Sequence, residues 1–177
     1  MKRIIPILLA ICLCSCQRSI KDKILTSVQE NYKKDSCVIS MKNFTSFEWD
    51  KMYIFCNYSG IEEVNDALEM EYPFYDVDNL KRIIFTKSNK IVYHEENDID
   101  PEVAENLKFL PPNKEDEVMV FTKATAIFKV KRYRFYDIIC YDLIPIGEKI
   151  SKVRKTKYYN IIYYDSIPAK GEADSLK

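Results

Sequence analysis

The residues best suited to covalent or metal chemistry are six cysteines and one histidine in a chain of 177 residues. A cysteine thiolate can be acylated, can bind a metal, or can act as a nucleophile when a base activates it. No two cysteines have the CxxC spacing of a zinc or redox site. His94 is the single histidine, and Asp98 stands where HExxH would need the second one, so histidine-based zinc sites are excluded.

Glycine is too scarce for a phosphate-binding loop. The three glycines, Gly60, Gly147 and Gly171, lie far apart, and neither the Walker A pattern nor GxGxxG can be written. The acidic segments near Asp76 and Asp98 lack the glycine and the closing glutamate of a calcium loop. We therefore predict no catalytic residue, no cofactor and no metal site.

The first fifteen residues have the layout of a secretory signal peptide. Met1 is followed by two basic residues and then by an apolar stretch over residues 4–13 that only Pro6 interrupts. The stretch is shorter than the roughly 20 apolar residues of a membrane-spanning helix.

The residues Leu13-Cys14-Ser15-Cys16 resemble a bacterial lipobox. The resemblance implies cleavage after Ser15 and acylation of Cys16 with fatty acids such as palmitate, which places the chain at the cell envelope. Gln17 in place of aspartate favours the outer membrane. Two or three acyl chains anchor firmly because each buried methylene contributes about 0.8 kcal/mol. An uncleaved signal anchor, or a soluble signal peptide with incidental cysteines, is the alternative.

Three cysteines remain after this processing: Cys37, Cys56 and Cys140. Exported compartments are oxidising, and Cys37 and Cys56 lie on predicted neighbouring strands, so a disulfide between them is one interpretation. Three buried free thiols that pack as small apolar side chains are the other, favoured interpretation.

The periodicity of apolar residues predicts an α+β fold, with an antiparallel β-sheet packed against about three helices in a single compact domain. Residues 16–18 form the lipidated N-terminus, 19–165 the domain and 166–177 a flexible tail. Helices are predicted to begin at capping residues Ser19, Ser59 and Asp100, the last one ending at Pro111. The first helix is predicted to have an apolar stripe of Ile20, Ile24, Val28 and Tyr32, and the second an inner face of Ile61, Val64 and Leu68. Strands are predicted over residues 37–41, 51–56, 82–86, 90–94, 118–122, 125–135, 136–143 and 158–164, with residues 149–157 in a charged loop. The strands over 82–86 and 90–94 are predicted to form a hairpin with a tight turn at Ser88 and Asn89.

The run from Phe47 to Phe55, which contains Trp49-Asp50-Lys51, and the hairpin from Ile83 to Val92 resemble a segment of small uncharacterised bacterial lipoproteins. The resemblance covers about residues 35–96. It implies an exported, lipid-anchored domain and transfers no activity and no functional residue. From the residues themselves, we expect Trp49 to anchor the core and Asp50 to cap a turn or to pair with a basic side chain.

The charges cancel overall, 27 basic against 27 acidic, but they are unevenly distributed. Residues 44–117 hold 7 Lys and Arg against 18 Asp and Glu, whereas residues 123–157 hold 10 against 3. Such a separation can steer a partner, orient the domain or be neutralised by internal pairs. A partner-binding basic patch is predicted at Lys129, Lys131, Arg132 and Arg134, which alternate with aromatic residues.

In an exported protein this patch would meet membrane lipid head groups, another anionic envelope component or an acidic envelope protein, and no nucleic acid. A solvated strand face with ordinary charge pairing is the alternative. We thus expect a lipid-anchored envelope protein that acts as a binding module. A periplasmic or surface inhibitor or immunity protein using acids from Glu62 to Asp78 is the second hypothesis. A carboxylate-based hydrolase is the least favoured, and His94 is expected to pack rather than to serve as a general base.

The lipobox assignment predicts that the membrane fraction contains a chain that begins at Cys16 and carries two or three acyl groups. Intact-mass spectrometry measures the loss of residues 1–15 and the added acyl mass together. Cys16→Ser should abolish acylation, whereas Cys14→Ser should be processed like wild type. A soluble, unmodified product from both wild type and Cys16→Ser would contradict the assignment.

Overall fold

The computed structural model describes residues 18–31, 36–74, 80–97, 106–111, 117–146, 152–157 and 160–164. Cys16, the signal segment, the predicted helix start at Asp100 and the tail over 166–177 lie outside these residues. The elements are α1 (Ile20–Asn31), β1 (Ser36–Ser40), a short 3-10 helix (Met41–Asn43), β2 (Lys51–Ser59), α2 (Ile61–Leu68), β3 (Leu80–Lys87), β4 (Lys90–Asn97), β5 (Leu107–Phe109), β6 (Glu117–Thr122), β7 (Ile127–Phe135), β8 (Ile138–Pro145), β9 (Lys152–Lys155) and β10 (Asn160–Tyr164).

The strands form two mixed sheets, which agrees with the α+β class and corrects the predicted antiparallel sheet. Sheet A has the order β1-β7-β8-β5, and sheet B has the order β4-β3-β2-β6-β10-β9. The pairs β5–β8 and β6–β10 are parallel. Parallel strands require a long connection between them. The connection from β6 to β10 includes β7 and β8 of sheet A. The parallel direction of β6 and β10 therefore depends on how the chain crosses between the two sheets.

The central strands of sheet B are buried on both faces. On β2, Met52 and Ile54 join the core cluster that sheet A and α1 cover, whereas Tyr53 and Phe55 join the cluster that α2 covers. Successive side chains of a strand point to opposite faces, so a strand buried on both sides is an uninterrupted apolar run. This burial explains the continuous run from Met52 to Phe55.

The predicted apolar stripe of the first helix is confirmed, since Ile20, Ile24 and Val28 are buried in the core. Ser19 caps the helix as predicted, because its Oγ accepts the N–H of Asp22 at 3.0 Å. The N–H of Ile20 also donates to Glu95 Oε2 on β4 at 2.8 Å. Helix α1 is therefore docked on the domain from its first residue.

The predicted capping box at Ser59 is wrong. Ser59 is the last residue of β2, and Gly60 is the N-cap of α2 without a side-chain cap bond. The carbonyl of Ser59 accepts the Nη1–H of buried Arg82, and Ser59 pairs with Leu80 of β3, so the sheet retains this residue. The predicted inner face is confirmed, because Val64 is buried and its apolar neighbours pack beside it.

The predicted hairpin with Ser88 and Asn89 at its turn is confirmed. Both residues have left-handed φ angles, 48° and 57°, as a tight two-residue turn between twisted strands requires. Asp50 caps this turn, since its Oδ2 accepts the N–H of Ser88 at 2.7 Å. Trp49 is 2% exposed and anchors the core as expected.

Two segments differ from the predicted elements. Leu107–Phe109 is strand β5 rather than the end of a helix, because it pairs with β8. Lys152–Lys155 is strand β9 rather than part of a charged loop, because it pairs with β10 at the edge of sheet B. Lysine-rich sequence suits an edge strand, where charge discourages pairing with another chain.

Cys37 and Cys56 do not lie on neighbouring strands. Cys37 is on β1, whose partner is β7 in sheet A, and Cys56 is on β2 in sheet B between β3 and β6. These two residues and Cys140 are free thiols in the structure, so the disulfide interpretation is not supported. Burial raises the pKa of Cys37, which keeps its thiol protonated.

The docking of α1 predicts that Ile24→Ala destabilises the domain by about 2–5 kcal/mol, because Ile24 is 0% exposed and its removal leaves a cavity. The free energy of unfolding in denaturant measures this loss. Glu30→Ala, on the exposed side of the same helix, should change it by less than about 0.5 kcal/mol. Equal, small effects of both changes would show that α1 is a stalk rather than part of the core.

Candidate functional site

The hairpin of β7 and β8 is longer than the rest of sheet A. Its last pairing with β1 is Lys131 opposite Ser36, and its first pairing with β5 is Tyr141 opposite Leu107. The ladder between β7 and β8 continues from there to Phe135 opposite Ile138. We call residues 132–139 the hairpin tip; among the described residues, it has no strand beside it in sheet A.

The turn of the tip has an unusual backbone. Tyr136 has a φ of 51°, a left-handed conformation that bulky residues rarely adopt and that glycine or asparagine adopts more easily. Strained residues of this kind cost about 1–3 kcal/mol and occur often at binding sites. The ring of Tyr136 contacts the ring of Phe135 edge to face at 4.7 Å and is otherwise 84% exposed. The strained position thus presents an aromatic ring to solvent.

Exposed apolar side chains concentrate on this tip. Of the six large hydrophobic residues exposed in the described part of the chain, four lie in it: Phe135 (50%), Tyr136 (84%), Ile138 (39%) and Ile139 (39%). Single exposed apolar residues are ordinary, but a contiguous exposed cluster marks an interaction surface.

The four predicted basic residues all lie on or next to the tip, but they do not form one patch. Phe128 and Val130 of β7 point into the core, so Arg132 and Arg134 continue that face beyond the core. Lys129 and Lys131 lie on the opposite, outer face. The predicted interleaving with aromatics is also incomplete, because Phe128 is fully buried.

The charges at the base of the tip are partly balanced. Lys131 lies opposite Asp142, and burial raises the pKa of that carboxyl while Lys108 and Lys131 lower it. Burial and the neighbouring Asp142 raise the pKa of Tyr133 to about 12, so its hydroxyl stays protonated and can hydrogen-bond to Asp142. These contacts fix the outer face of the hairpin where it leaves the domain.

Further out, the ladder partners of the basic residues are not acidic. Arg132 lies opposite Tyr141, and Arg134 lies opposite Ile139. Elsewhere the basic block is neutralised internally. Arg154, for example, lies 3.2 Å from Glu69 and also donates to the carbonyl of Asp66 at the end of α2, at 2.7 Å. Arg134, which is exposed, thus adds positive charge to the hairpin tip.

A cluster of polar side chains lies on the α2 face of sheet B, and we call it the buried cluster. Tyr72 donates its hydroxyl proton to Glu96 Oε1 at 2.7 Å and lies 3.0 Å from His94 Nδ1. Arg82, 1% exposed, donates from Nε to the same Glu96 oxygen at 3.2 Å. The ring of Phe74 stacks on His94 with centroids 3.6 Å apart. The cluster fastens the segment after α2 to strands β3 and β4.

The chemistry of this cluster is structural. The Tyr72 proton is used on Glu96, so His94 Nδ1 must carry the proton of the His94–Tyr72 bond. Burial lowers the pKa of His94, with Glu96 opposing and Arg82 adding to the effect, so the ring is neutral at pH 7. Burial and Glu96 raise the pKa of Tyr72. His94 packs in this network, as expected.

The cavity between α1, β2, β3 and β5 is too small for a small-molecule substrate. This cavity of about 20 Å³, lined by Lys21, Ile54, Phe55, Cys56, Lys81, Arg82, Ile83 and Phe109, has space for about one water molecule. Among the described residues, no group of three or more His, Cys, Asp or Glu side chains could hold a metal ion. Neither described helix is long and apolar enough to cross a membrane.

The sequence interpretation located the basic residues but missed the apolar part of the site. The predicted strand over residues 136–143 begins at Tyr136, but the structure places Tyr136 in the turn before β8. Asp137, a turn-forming residue in an otherwise apolar stretch, was the available signal. A turn there places Phe135 and Ile138 at an exposed end.

No protein-family model matches the chain, and no curated protein or solved structure shows significant similarity to it. The functional interpretation therefore depends on the residues and their geometry.

The buried cluster predicts the titration of the single histidine. We expect the imidazole resonances of His94 to titrate below pH 6.5, because burial disfavours the charged ring. Glu96→Gln should lower this pKa further by removing the carboxylate that stabilises the imidazolium. Because the folded pKa lies below the unfolded one, His94 contributes stability above pH 6.5 that is lost as the solution is acidified. A titration midpoint at or above 6.5 in the folded protein would contradict the burial.

Proposed function

We propose that this chain is a lipid-anchored cell-envelope protein that acts as a binding module and engages an envelope component through the hairpin tip. In this proposal Cys16 carries the acyl anchor at the outer membrane, residues 1–15 are a cleaved signal peptide, and residues 19–165 form the domain, including a third helix that begins at Asp100. The resemblance to small bacterial lipoproteins over residues 35–96 is consistent with this assignment.

The observation that carries the proposal is the exposed apolar cluster of the tip. Phe135, Tyr136, Ile138 and Ile139 are held out of the core by a ladder that continues past both neighbouring strands. Exposing these side chains to water is unfavourable, at roughly 25 cal/mol per Å² of apolar surface, and the left-handed Tyr136 adds strain. Both costs are offset when the tip is covered by a partner.

The charge of the tip restricts the chemistry of that partner. Between Val118 and Tyr141 the sequence contains five Lys and Arg and a single acid, Asp137. The partner should therefore present negative charge around an apolar contact. Nucleic acid is anionic too, but a lipid anchor places the domain in the envelope, away from nucleic acid.

The other function classes receive less support. An inhibitor that uses acids from Glu62 to Asp78 would need them available, but Arg154 already contacts Asp66 and Glu69. A carboxylate-based hydrolase needs two carboxyls in one cleft. The carboxylate of the buried cluster, Glu96, is instead engaged by Arg82 and Tyr72. We accordingly propose a non-enzymatic role.

Site-specific photo-crosslinking tests the proposal. A photoreactive phenylalanine analogue at position 136 of the full chain should give a crosslinked envelope product on irradiation of intact cells. The same analogue at Val92, also exposed at 40% but on β4, is the matched control and should give at least about tenfold less product. Gel electrophoresis and mass spectrometry quantify the two products.

Charge reversal provides the second arm of this test. Arg132→Glu with Arg134→Glu should remove most of the product at position 136, whereas Lys87→Glu with Lys90→Glu at the other hairpin should leave it unchanged. Equal crosslinking at positions 136 and 92 would show that the hairpin tip is not the binding surface. A chain recovered only from the cytosol would remove the envelope assignment itself.

A further inference from the structure

The distribution of apolar and basic groups around the tip identifies the kind of partner it fits. Phe135 and Ile138 form one ladder pair, on the outer face together with Tyr133. Ile139 lies on the inner face opposite Arg134, and Tyr136 occupies the turn. The end of the hairpin is therefore apolar on both faces and at its turn. A partner that covers only one face would leave apolar side chains exposed.

The basic residues begin at the level of Ile139, because Arg134 is its ladder partner, and Arg132 lies one inner-face pair further back. Arg132 and Arg134 lie on the inner face, and Lys131 lies on the outer face. Viewed along the hairpin, a collar of basic residues follows the apolar end. Arg132 and Arg134 form it on the inner face, and Lys131, beside Asp142, forms it on the outer face. Asp137, in the turn, is the only acid within the tip.

A groove on a protein covers one face of an inserted strand and leaves the other exposed. The interface of a bilayer surrounds an inserted tip on all sides, with an apolar interior below and head groups above. Aromatic and apolar side chains enter that interface, while Arg and Lys extend to anionic head groups.

The length of the tip matches this depth. Tyr136 lies two positions after Arg134, with Phe135 between them, which corresponds to about 7 Å at 3.3 Å per strand residue. Interfacial elements bury their apolar part by about 5–10 Å at the boundary between head groups and acyl chains. The collar would then lie at the level of the phosphates.

We propose that the hairpin tip inserts into the interface of an anionic phospholipid bilayer, with Phe135, Tyr136, Ile138 and Ile139 in the apolar boundary and Arg132, Arg134 and Lys131 at the head groups. This inference rests on the proposed binding function and specifies its partner. The tip adds a second, reversible membrane contact to the one at Cys16. It thereby fixes the orientation of the domain on a lipid surface.

Quenching by brominated lipids tests the insertion directly. Trp49 is the only tryptophan and is 2% exposed, so Tyr136→Trp adds an indole that reports on the tip over a constant background. The full chain is purified from membranes and reconstituted into vesicles with brominated acyl chains. We expect strong quenching in phosphatidylglycerol vesicles and at least fivefold weaker quenching in phosphatidylcholine vesicles. Val92→Trp is the control that should stay unquenched in both.

Charge reversal distinguishes two causes of insertion: attraction of the basic residues to anionic head groups, and proximity to the membrane that the anchor at Cys16 provides. Arg132→Glu with Arg134→Glu, in the Tyr136→Trp background, should lower the ratio of inserted to free tip at least tenfold, since each basic residue near an anionic surface contributes about a fivefold factor. Lys87→Glu with Lys90→Glu should have no effect. Raising the salt concentration should weaken the insertion of the unreversed chain.

Two results would overturn the inference and leave the proposed function intact. One is an indole at position 136 that stays unquenched in anionic vesicles while position 136 still crosslinks to a protein in cells. The other is quenching that is equal in both lipids and unaffected by charge reversal. If position 136 neither crosslinks nor is quenched, the binding function of the tip fails as well.

Discussion

Burial of the central strands of sheet B on both faces is the constraint on which the rest of the structure depends. A strand such as β2, which points Met52 and Ile54 to one side and Tyr53 and Phe55 to the other, is stable only between two apolar layers. Sheet A and α1 form the first layer, and α2 with Tyr72 forms the second. The parallel pair of β6 and β10 follows from the same constraint, because the chain must leave sheet B to build the covering sheet and then return.

The buried charge of Arg82 is the main polar exception within this arrangement, and it is paired. Its partners are the Ser59 carbonyl and Glu96, and Tyr72 covers the guanidinium from 5.8 Å. Removal of one partner from such a buried pair typically costs about 3–5 kcal/mol, because a charge is left uncompensated. As the single histidine, His94 is the first candidate for catalysis. The network explains its position instead, because His94 packs against Tyr72 within it.

The hairpin tip is the part of the fold that the core does not explain. Phe128 and Val130 are the buried residues of β7, and they cover sheet B. The strand instead continues to Phe135 and turns through the strained Tyr136. The same strand therefore has two roles, with its first half in the core and its second half in the proposed contact. The second half also carries Arg132 and Arg134, whereas Arg154 of the same basic block is paired with Asp66 and Glu69.

The sequence by itself determined most of the local structure. The four-residue spacing of Ile20, Ile24 and Val28 specified a helix and its buried side, and Ser88-Asn89 specified a tight turn, because these preferences are decided by neighbours along the chain. Strand direction, the separation of Cys37 from Cys56, the retention of Ser59 in β2 and the pairing of β5 were decided only by the tertiary structure. Each of them depends on contacts between distant segments, and alternation alone does not name the partner strand. The division of Lys129, Lys131, Arg132 and Arg134 between two faces follows from strand period, but only the folded core shows where along β7 the exposed part begins.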